Sequence, residues 1–330
     1  MTIALASLLE NNSKDFDCIN VYVLDNGIND DNKDKVYSLC ERYPCRVTFL
    51  NGNILDSFDV SIIPMEENEI APESFATYSR LLLARLLPED VKKVLYIDSD
   101  GLVLDSFKDL WDTDISDYYC AGVLQAGITE TLKSEFWFFD VDHYVNAGFL
   151  YINLEKWRND NVEEKFIEFL SDHEGQYFCS DQGVINKTFE GKIKILEPKY
   201  NLMGDFNNFN FTVARKVEVV ELDVYSEELI RQCGENPVFV HFAGHNRAPW
   251  VSRDNPYFFE FEKYAKMCDC ESIIQCVDES GLHKIYRKVS ESISDMALAL
   301  VPAGFLKKRH DESSVQFFRN EELKTREFDD

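Results

Sequence analysis

VKKVLYIDSDG, residues 91–101, decides how the chain reads. Five of its first seven residues are apolar or aromatic, so Val91–Ile97 reads as a buried strand. The strand stops abruptly in Asp98-Ser99-Asp100-Gly101. Two carboxylates at i and i+2 just past a strand end can turn toward one divalent cation, which in turn takes diphosphate oxygens. The bare pattern is weak, because Asp15-Phe16-Asp17, Asp112-Thr113-Asp114 and Asp140-Val141-Asp142 share it. Delivery by a buried strand to the ligand edge of a sheet sets Asp98 and Asp100 apart. The competing reading is a solvated strand-end turn.

Working outward, further strands are expected at Ile19–Leu24, Cys45–Leu50, Cys120–Leu124, Gly148–Asn153 and Val238–Phe242. Asp25-Asn26-Gly27 closes the first as a turn. Helices are expected at Thr2–Glu10, Asp30–Tyr43, Pro72–Leu87 (Pro at its start) and Glu155–Asp172. This alternation implies a mostly parallel α/β sheet covered by helices, with ligands at the carboxyl ends of strands. Beyond Trp250 only helices are expected, Tyr257–Met267 and Glu279–Leu300, and Glu321–Asp330 is a charged end. We therefore divide the chain into a catalytic domain, 1–250, and a helical extension, 251–330.

Composition narrows the partners. A net charge of −26 over 330 residues argues against nucleic acid, whose phosphates need a basic field. The nine cysteines are irregularly spaced, which fits reduced thiols and a cytoplasmic location better than a disulfide framework. Cys268, Cys270 and Cys276 lack a second ligand pair at zinc spacing. No run of about 18 apolar residues and no signal peptide is found. Met296–His310 joins an apolar run to a basic cluster; it reads either as peripheral contact with a membrane surface or as a packed final helix.

Other polar residues sit at element ends. His241 closes the run VFVH; a neutral imidazole would complete an O,O,N site suited to manganese rather than zinc, or it is a satisfied core histidine. Gly244 would let backbone approach a ligand, and His245 and Arg247 offer donors for phosphate. Asp181 and Gln182 open a helix capped by Ser180, placed to grip sugar hydroxyls or simply favoured by the helix dipole. Asn146-Ala147-Gly148 presents an amide to a ligand or forms a turn. Arg80, on the Leu-rich helix, either snorkels to solvent or reaches an anion.

Together the segments TYSRLLLARLLP (77–88), KVLYIDSD (93–100), VNAGFLYINLEKW (145–157), SDQGVIN (180–186) and HFAGHNRAPW (241–250) resemble, in order and spacing, the family-8 retaining glycosyltransferases. That group includes bacterial lipopolysaccharide galactosyl- and glucosyltransferases and is related to glycogenin. The resemblance runs from about residue 2 to 250. It implies a GT-A fold, a UDP-galactose or UDP-glucose donor, a saccharide, glycolipid or glycoprotein acceptor, and retention at the anomeric carbon. It matches Asp98, Asp100 and His241 to the ligands of manganese, with magnesium as the alternative. Arg80, Ser99, Asn146, Ala147, Asp181 and Gln182 match the donor-sugar surroundings, with Asp181 and Gln182 closest to the chemistry. Gly244 and Arg247 match the diphosphate loop.

Two features depart from the family pattern. The sequence opens at TIALASLLENN, the helix that normally follows a first strand, so a break in the central sheet is expected at the nucleotide-base pocket. The last loop reads Arg247-Ala248-Pro249-Trp250 where Lys-Pro-Trp is usual. A catalytically weak sugar-nucleotide-binding protein is therefore the runner-up. A nucleotidyltransferase, which also pairs aspartates on an α/β sheet, is disfavoured by the HFAGHNRAPW loop and the Asp-Gln pair.

Overall fold

A computed structural model of the chain describes residues 1–51, 77–128, 143–173, 180–204, 211–216, 221–243 and 248–276. The Glu279–Leu300 helix and the Met296–His310 segment expected from sequence lie outside these residues, as does the start of the Pro72–Leu87 helix. Helix α1 (Thr2–Asn12) is followed by β1 (Ile19–Asp25), α2 (Asp30–Cys40) and β2 (Cys45–Asn51). A 3₁₀ turn, Ser79–Leu82, runs into α3 (Leu83–Leu86), then β3 (Lys93–Ile97) and β4 (Gly101–Val103). Next come α4 (Lys108–Trp111), β5 (Cys120–Leu124), β6 (Val145–Asn153), α5 (Leu154–Asn159), α6 (Val162–His173) and α7 (Ser180–Thr188). The last described elements are β7 (Ile193–Ile195), β8 (Leu202–Met203), α8 (Phe211–Lys216), α9 (Glu221–Val224), α10 (Glu227–Glu235), β9 (Phe239–His241) and α11 (Phe258–Met267).

The strands pair in the orders β1-β2, β3-β6-β5-β7 and β4-β9-β8. The pairing is mixed rather than mostly parallel. β6 runs antiparallel to both β3 and β5, and β4 antiparallel to β9, while β1-β2, β5-β7 and β8-β9 are parallel. Strand–helix alternation cannot tell a crossover within one sheet from a step between sheets, and β3 and β4, neighbours in sequence, fall in different sheets. β6 is central to its sheet, and eight of its nine residues are buried, as a strand covered on both faces should be.

Three local devices position the strand ends. Gly101 starts β4 beneath the Phe239 ring, where a Cβ would lie 2.4 Å from ring carbons, so no larger residue fits. α1 supplies β4 with side-chain partners in place of a strand: Ser7 Oγ accepts the Val103 N–H at 2.9 Å and Asn11 Nδ2 donates to the Val103 carbonyl at 2.9 Å. This accounts for a fully buried serine in an apolar helix. Arg158, on α5, donates to the carbonyls of Ala84, Leu87, Pro88, Glu89 and Val91 and so fixes the loop that feeds β3.

The single helix expected over Glu155–Asp172 is two, α5 and α6. The break contains Asn161 at φ 49°, a left-handed conformation that asparagine tolerates better than most residues. Behind it Trp157, Phe166 and Phe189 pack with ring centroids 5.2–5.5 Å apart, and the indole N–H reaches the Tyr119 carbonyl. Such buried rings contribute large apolar areas to the core.

β1 and β3 are both end strands of their pairing orders, and a cavity of about 1360 Å³ lies between them. Tyr22 and Leu24 of β1, Leu95 of β3 and Leu5 of α1 line it, as do Asp98 and Ser99. Among the described residues no helix is long and apolar enough to cross a membrane.

Candidate active site

Two sheets meet at Asp98-Ser99-Asp100. The β3–β6 register pairs Ile97 with Phe149, and the Asp98 N–H continues it by donating to the Gly148 carbonyl at 2.8 Å. The β4–β9 register pairs Gly101 with His241, and the Phe242 N–H donates to the Asp100 carbonyl at 2.9 Å. Backbone pairing thus brings both aspartates to His241, which is 3 % exposed. One ligand atom from each of the three lies within 4.8 Å of the others. Among the described residues this is the one such group of acidic, histidine or cysteine side chains. Cys268, Cys270 and Cys276 instead direct their thiols at backbone carbonyls.

Arg80 lies beneath the carboxylates, 5 % exposed, so of its two sequence readings it faces an anion rather than snorkelling. Its Nη2 is 3.3 Å from Asp98 Oδ1 and its Nε 2.9 Å from Asp181 Oδ2; its guanidinium also stacks 4.6 Å from the Tyr96 ring centre. Nη1 donates to the Ala147 carbonyl at 2.6 Å, and Nε to the Thr77 carbonyl at 3.0 Å. Burial opposes the charge on Arg80, but Asp181, Tyr96, Asp98 and Asp100 outweigh it and hold the guanidinium protonated. Burial pushes the Tyr96 phenol up, and its hydroxyl donates to Asp98 Oδ1 at 2.8 Å.

The Nε N–H of Arg80 is spent on Thr77, so the contact with Asp181 Oδ2 is ionic and that oxygen accepts no hydrogen bond. Burial pushes the Asp181 carboxyl up to about 6 despite the opposing Arg80 charge, and Asp98 adds to the shift. The native state therefore binds this proton more tightly than the unfolded chain. Stability owed to Asp181 is present in acid and is lost as pH rises from about 4 through 6. The difference in melting temperature between wild type and Asp181→Asn should accordingly change across that window. Parallel curves between pH 4 and 7 would count against the assignment.

Asn146, Ala147 and Gln182 form an amide cluster beside Asp98, Asp100 and His241. Gln182 Oε1 accepts the Ala147 N–H at 2.9 Å and Asn146 Nδ2 at 3.2 Å. Asn146 Nδ2 also donates to Gln125 Oε1 at 2.8 Å, while its Oδ1 accepts the Gly148 N–H at 3.0 Å and Asn201 Nδ2 at 3.0 Å. All the hydrogen-bonding capacity of the Asn146 side chain is thus used within the protein. Ser99 is exposed, with its carbonyl 3.5 Å from the amino terminus. Gly244, His245 and Arg247 lie outside the described residues.

Gln125, Tyr96 and Asn201 belong to this cluster although the sequence reading passed them over. Gln125 directly follows the strand Cys120–Leu124, so the strand-end rule that found Asp98 would also have found it. Asn201 follows a 3₁₀ turn, Pro198–Tyr200, and carries no comparable signal.

Three carboxylates here face one guanidinium, an excess of two negative charges in a half-buried setting. His241 Nε2 lies 3.2 Å from Asp100 Oδ1, close enough for the two atoms to share a proton or a cation. A hard, oxygen-rich O,O,N set of this size fits a divalent cation.

The mixed sheet with an acidic site at its strand ends is the arrangement of a GT-A type fold. The profile "Glycosyl transferase family 8" matches residues 1–254, and the chain belongs to that family. General stress protein A of Bacillus subtilis is 31 % identical over 271 residues, covering 79 % of this chain and 87 % of that protein. Lipopolysaccharide 1,2-glucosyltransferase of Escherichia coli is 27 % identical, covering 75 % and 68 %. The crystal structure of the galactosyltransferase LgtC with donor and acceptor sugar analogues superposes with a TM-score of 0.60 at 26 % identity, covering 86 % of this chain and 94 % of that one.

Proposed function

We propose that the protein transfers galactose or glucose from a UDP-sugar to a saccharide, glycolipid or glycoprotein acceptor, with retention, using manganese or magnesium held by Asp98, Asp100 and His241. The observation that carries this reading is the convergence of that triad with a buried carboxylate oxygen, Asp181 Oδ2, that lacks a hydrogen-bond donor. A sugar hydroxyl is the donor it would take. The likenesses to a lipopolysaccharide glucosyltransferase and to a galactosyltransferase bound to sugar analogues support the same class.

A divalent cation held by Asp98, Asp100 and His241 would supply electrostatic stabilisation to a departing diphosphate. Asp98 and Asp100 orient it from the two sheets. Arg80 holds Asp98 and Asp181 in place, and Asp181 fixes the sugar and opposes the positive charge that grows on its anomeric carbon. Gln182 lines the same face. Gly244 and Arg247 contact the diphosphate by family resemblance. None of these side chains is a free, strong nucleophile, so front-face attack by the acceptor hydroxyl is favoured over a covalent intermediate.

The test is hydrolysis of a UDP-sugar panel by purified protein, with manganese, magnesium or chelator, beside Asp100→Ala. One sugar should release UDP in a metal-dependent way, and Asp100→Ala should abolish that release. The open cavity between β1 and β3 favours a second reading, a sugar-nucleotide-binding protein with little turnover. Tight metal-dependent UDP binding without release from any donor would select it.

A further inference from the structure

We propose that Asn201 is a positioning residue: it sets the tautomer of His241 and ties the metal ligand to the amide cluster at Asn146 and Gln182. This rests on the reading of His241 as a ligand.

Asn201 is wholly buried and lies directly ahead of β8, whose Met203 pairs with His241 in β9. Its side chain bridges two functional groups, with Oδ1 3.2 Å from His241 Nδ1 and Nδ2 3.0 Å from Asn146 Oδ1. Backbone donors fix the direction of the whole chain. The Gly148 N–H can only donate, so the Asn146 atom it meets at 3.0 Å must be the oxygen. The Asn201 atom facing that oxygen must then be its NH₂. The Asn201 carbonyl oxygen is therefore left facing His241, and Nδ1 must carry a proton to meet it. In the neutral ring the Nε2 lone pair is thereby directed at the space shared with Asp98 and with Asp100, whose Oδ1 lies 3.2 Å away. The Ala147 N–H fixes Gln182 in the same way, with its oxygen inward. Hydrogen bonds of this kind to the far nitrogen of a metal-binding imidazole orient the ring and raise its basicity; losing one typically lowers metal affinity about 10–100-fold.

Two variants separate the two bonds. Asn201→Leu removes both. Asn201→Asp keeps an acceptor for His241 but places an oxygen against Asn146 Oδ1. Manganese affinity, followed by the electron paramagnetic resonance of free Mn²⁺, should fall about 10–100-fold in Asn201→Leu. It should stay within about threefold of wild type in Asn201→Asp, whose defect should appear in the KM for donor sugar. The metal-free readout is ¹⁵N-histidine NMR, with His241 assigned by His241→Gln. Wild type should show the Nδ1–H tautomer, and Asn201→Asp should retain it. An Nε2–H tautomer in wild type overturns the proposal, as does unchanged manganese affinity in a folded Asn201→Leu protein. If wild type binds no manganese while showing the Nδ1–H tautomer, the metal reading fails and the positioning of His241 stands. If Asn201→Leu does not fold, Asn201→Asp and the wild-type tautomer decide.

Discussion

Gly148→Ala should abolish metal binding and reduce sugar transfer by about three orders of magnitude, as deeply as loss of a catalytic electrostatic donor. The reason is space rather than backbone conformation. A Cβ at residue 148 would lie 2.3 Å from His241 Cε1, 2.7 Å from Asp98 Oδ2 and 3.0 Å from Asn146 Oδ1. The backbone cannot retreat, because its N–H is held by Asn146 and its carbonyl by the Asp98 N–H. The methyl group would therefore push apart two of the three ligands. Overpacking of this kind costs about 1–3 kcal/mol, so the protein should still fold. Manganese titration of the variant beside its melting curve decides the matter. Wild-type affinity in the variant would show that the ligand cluster is looser than these contacts require. A collapse of the fold with no separate effect on metal would make Gly148 a packing residue, as Gly101 is beneath Phe239.

That role for Gly148 was not legible in the sequence, where Asn146-Ala147-Gly148 read equally well as a turn. The residues are instead the opening of β6, and only its pairing with β3 shows what Gly148 faces. The candidate metal ligands were more accessible: Asp98 and Asp100 follow an apolar run, and His241 ends another, so the strand-end rule singled out all three before the pairing that brings them together was known. Strand positions read well wherever the apolar run was long. Cys120–Leu124 has the bounds expected of it. β4, β7 and β8 are two or three residues long and carry too little periodicity to register. Strand direction failed for a different reason. It is set by which edges meet in space, and no local pattern in β6 states that both its neighbours run opposite to it. Asn201 shows the same limit at the scale of one side chain: its value lies in bridging His241 and Asn146, residues 40 and 55 positions away.

Arg80→Leu should destabilise the fold by about 3–5 kcal/mol, the usual cost of removing one partner from a buried ion pair. For a chain of this size that lowers the melting temperature by roughly 4–7 °C. The leucine would fill much of the apolar volume, so lost packing is a minor part. The larger part is the charge left behind: Asp181 is 5 % exposed, and its Oδ2 already lacks a hydrogen-bond donor with Arg80 present. Without the guanidinium, burial and Asp98 act on Asp181 opposed only by hydrogen bonds from Thr77 and from its own backbone, and its carboxyl moves further above the value of about 6 that it has now. The folded variant would then ionise Asp181 only at a higher pH and at a greater cost than wild type, so its deficit should be smaller at pH 5 than at pH 8. The double variant Arg80→Leu/Asp181→Leu removes the orphaned charge and should recover part of the loss, which a double-mutant cycle would measure directly. Additive losses in that cycle would mean that the two side chains do not stabilise one another. Arg80 would then serve the fold through the Ala147 and Thr77 carbonyls alone.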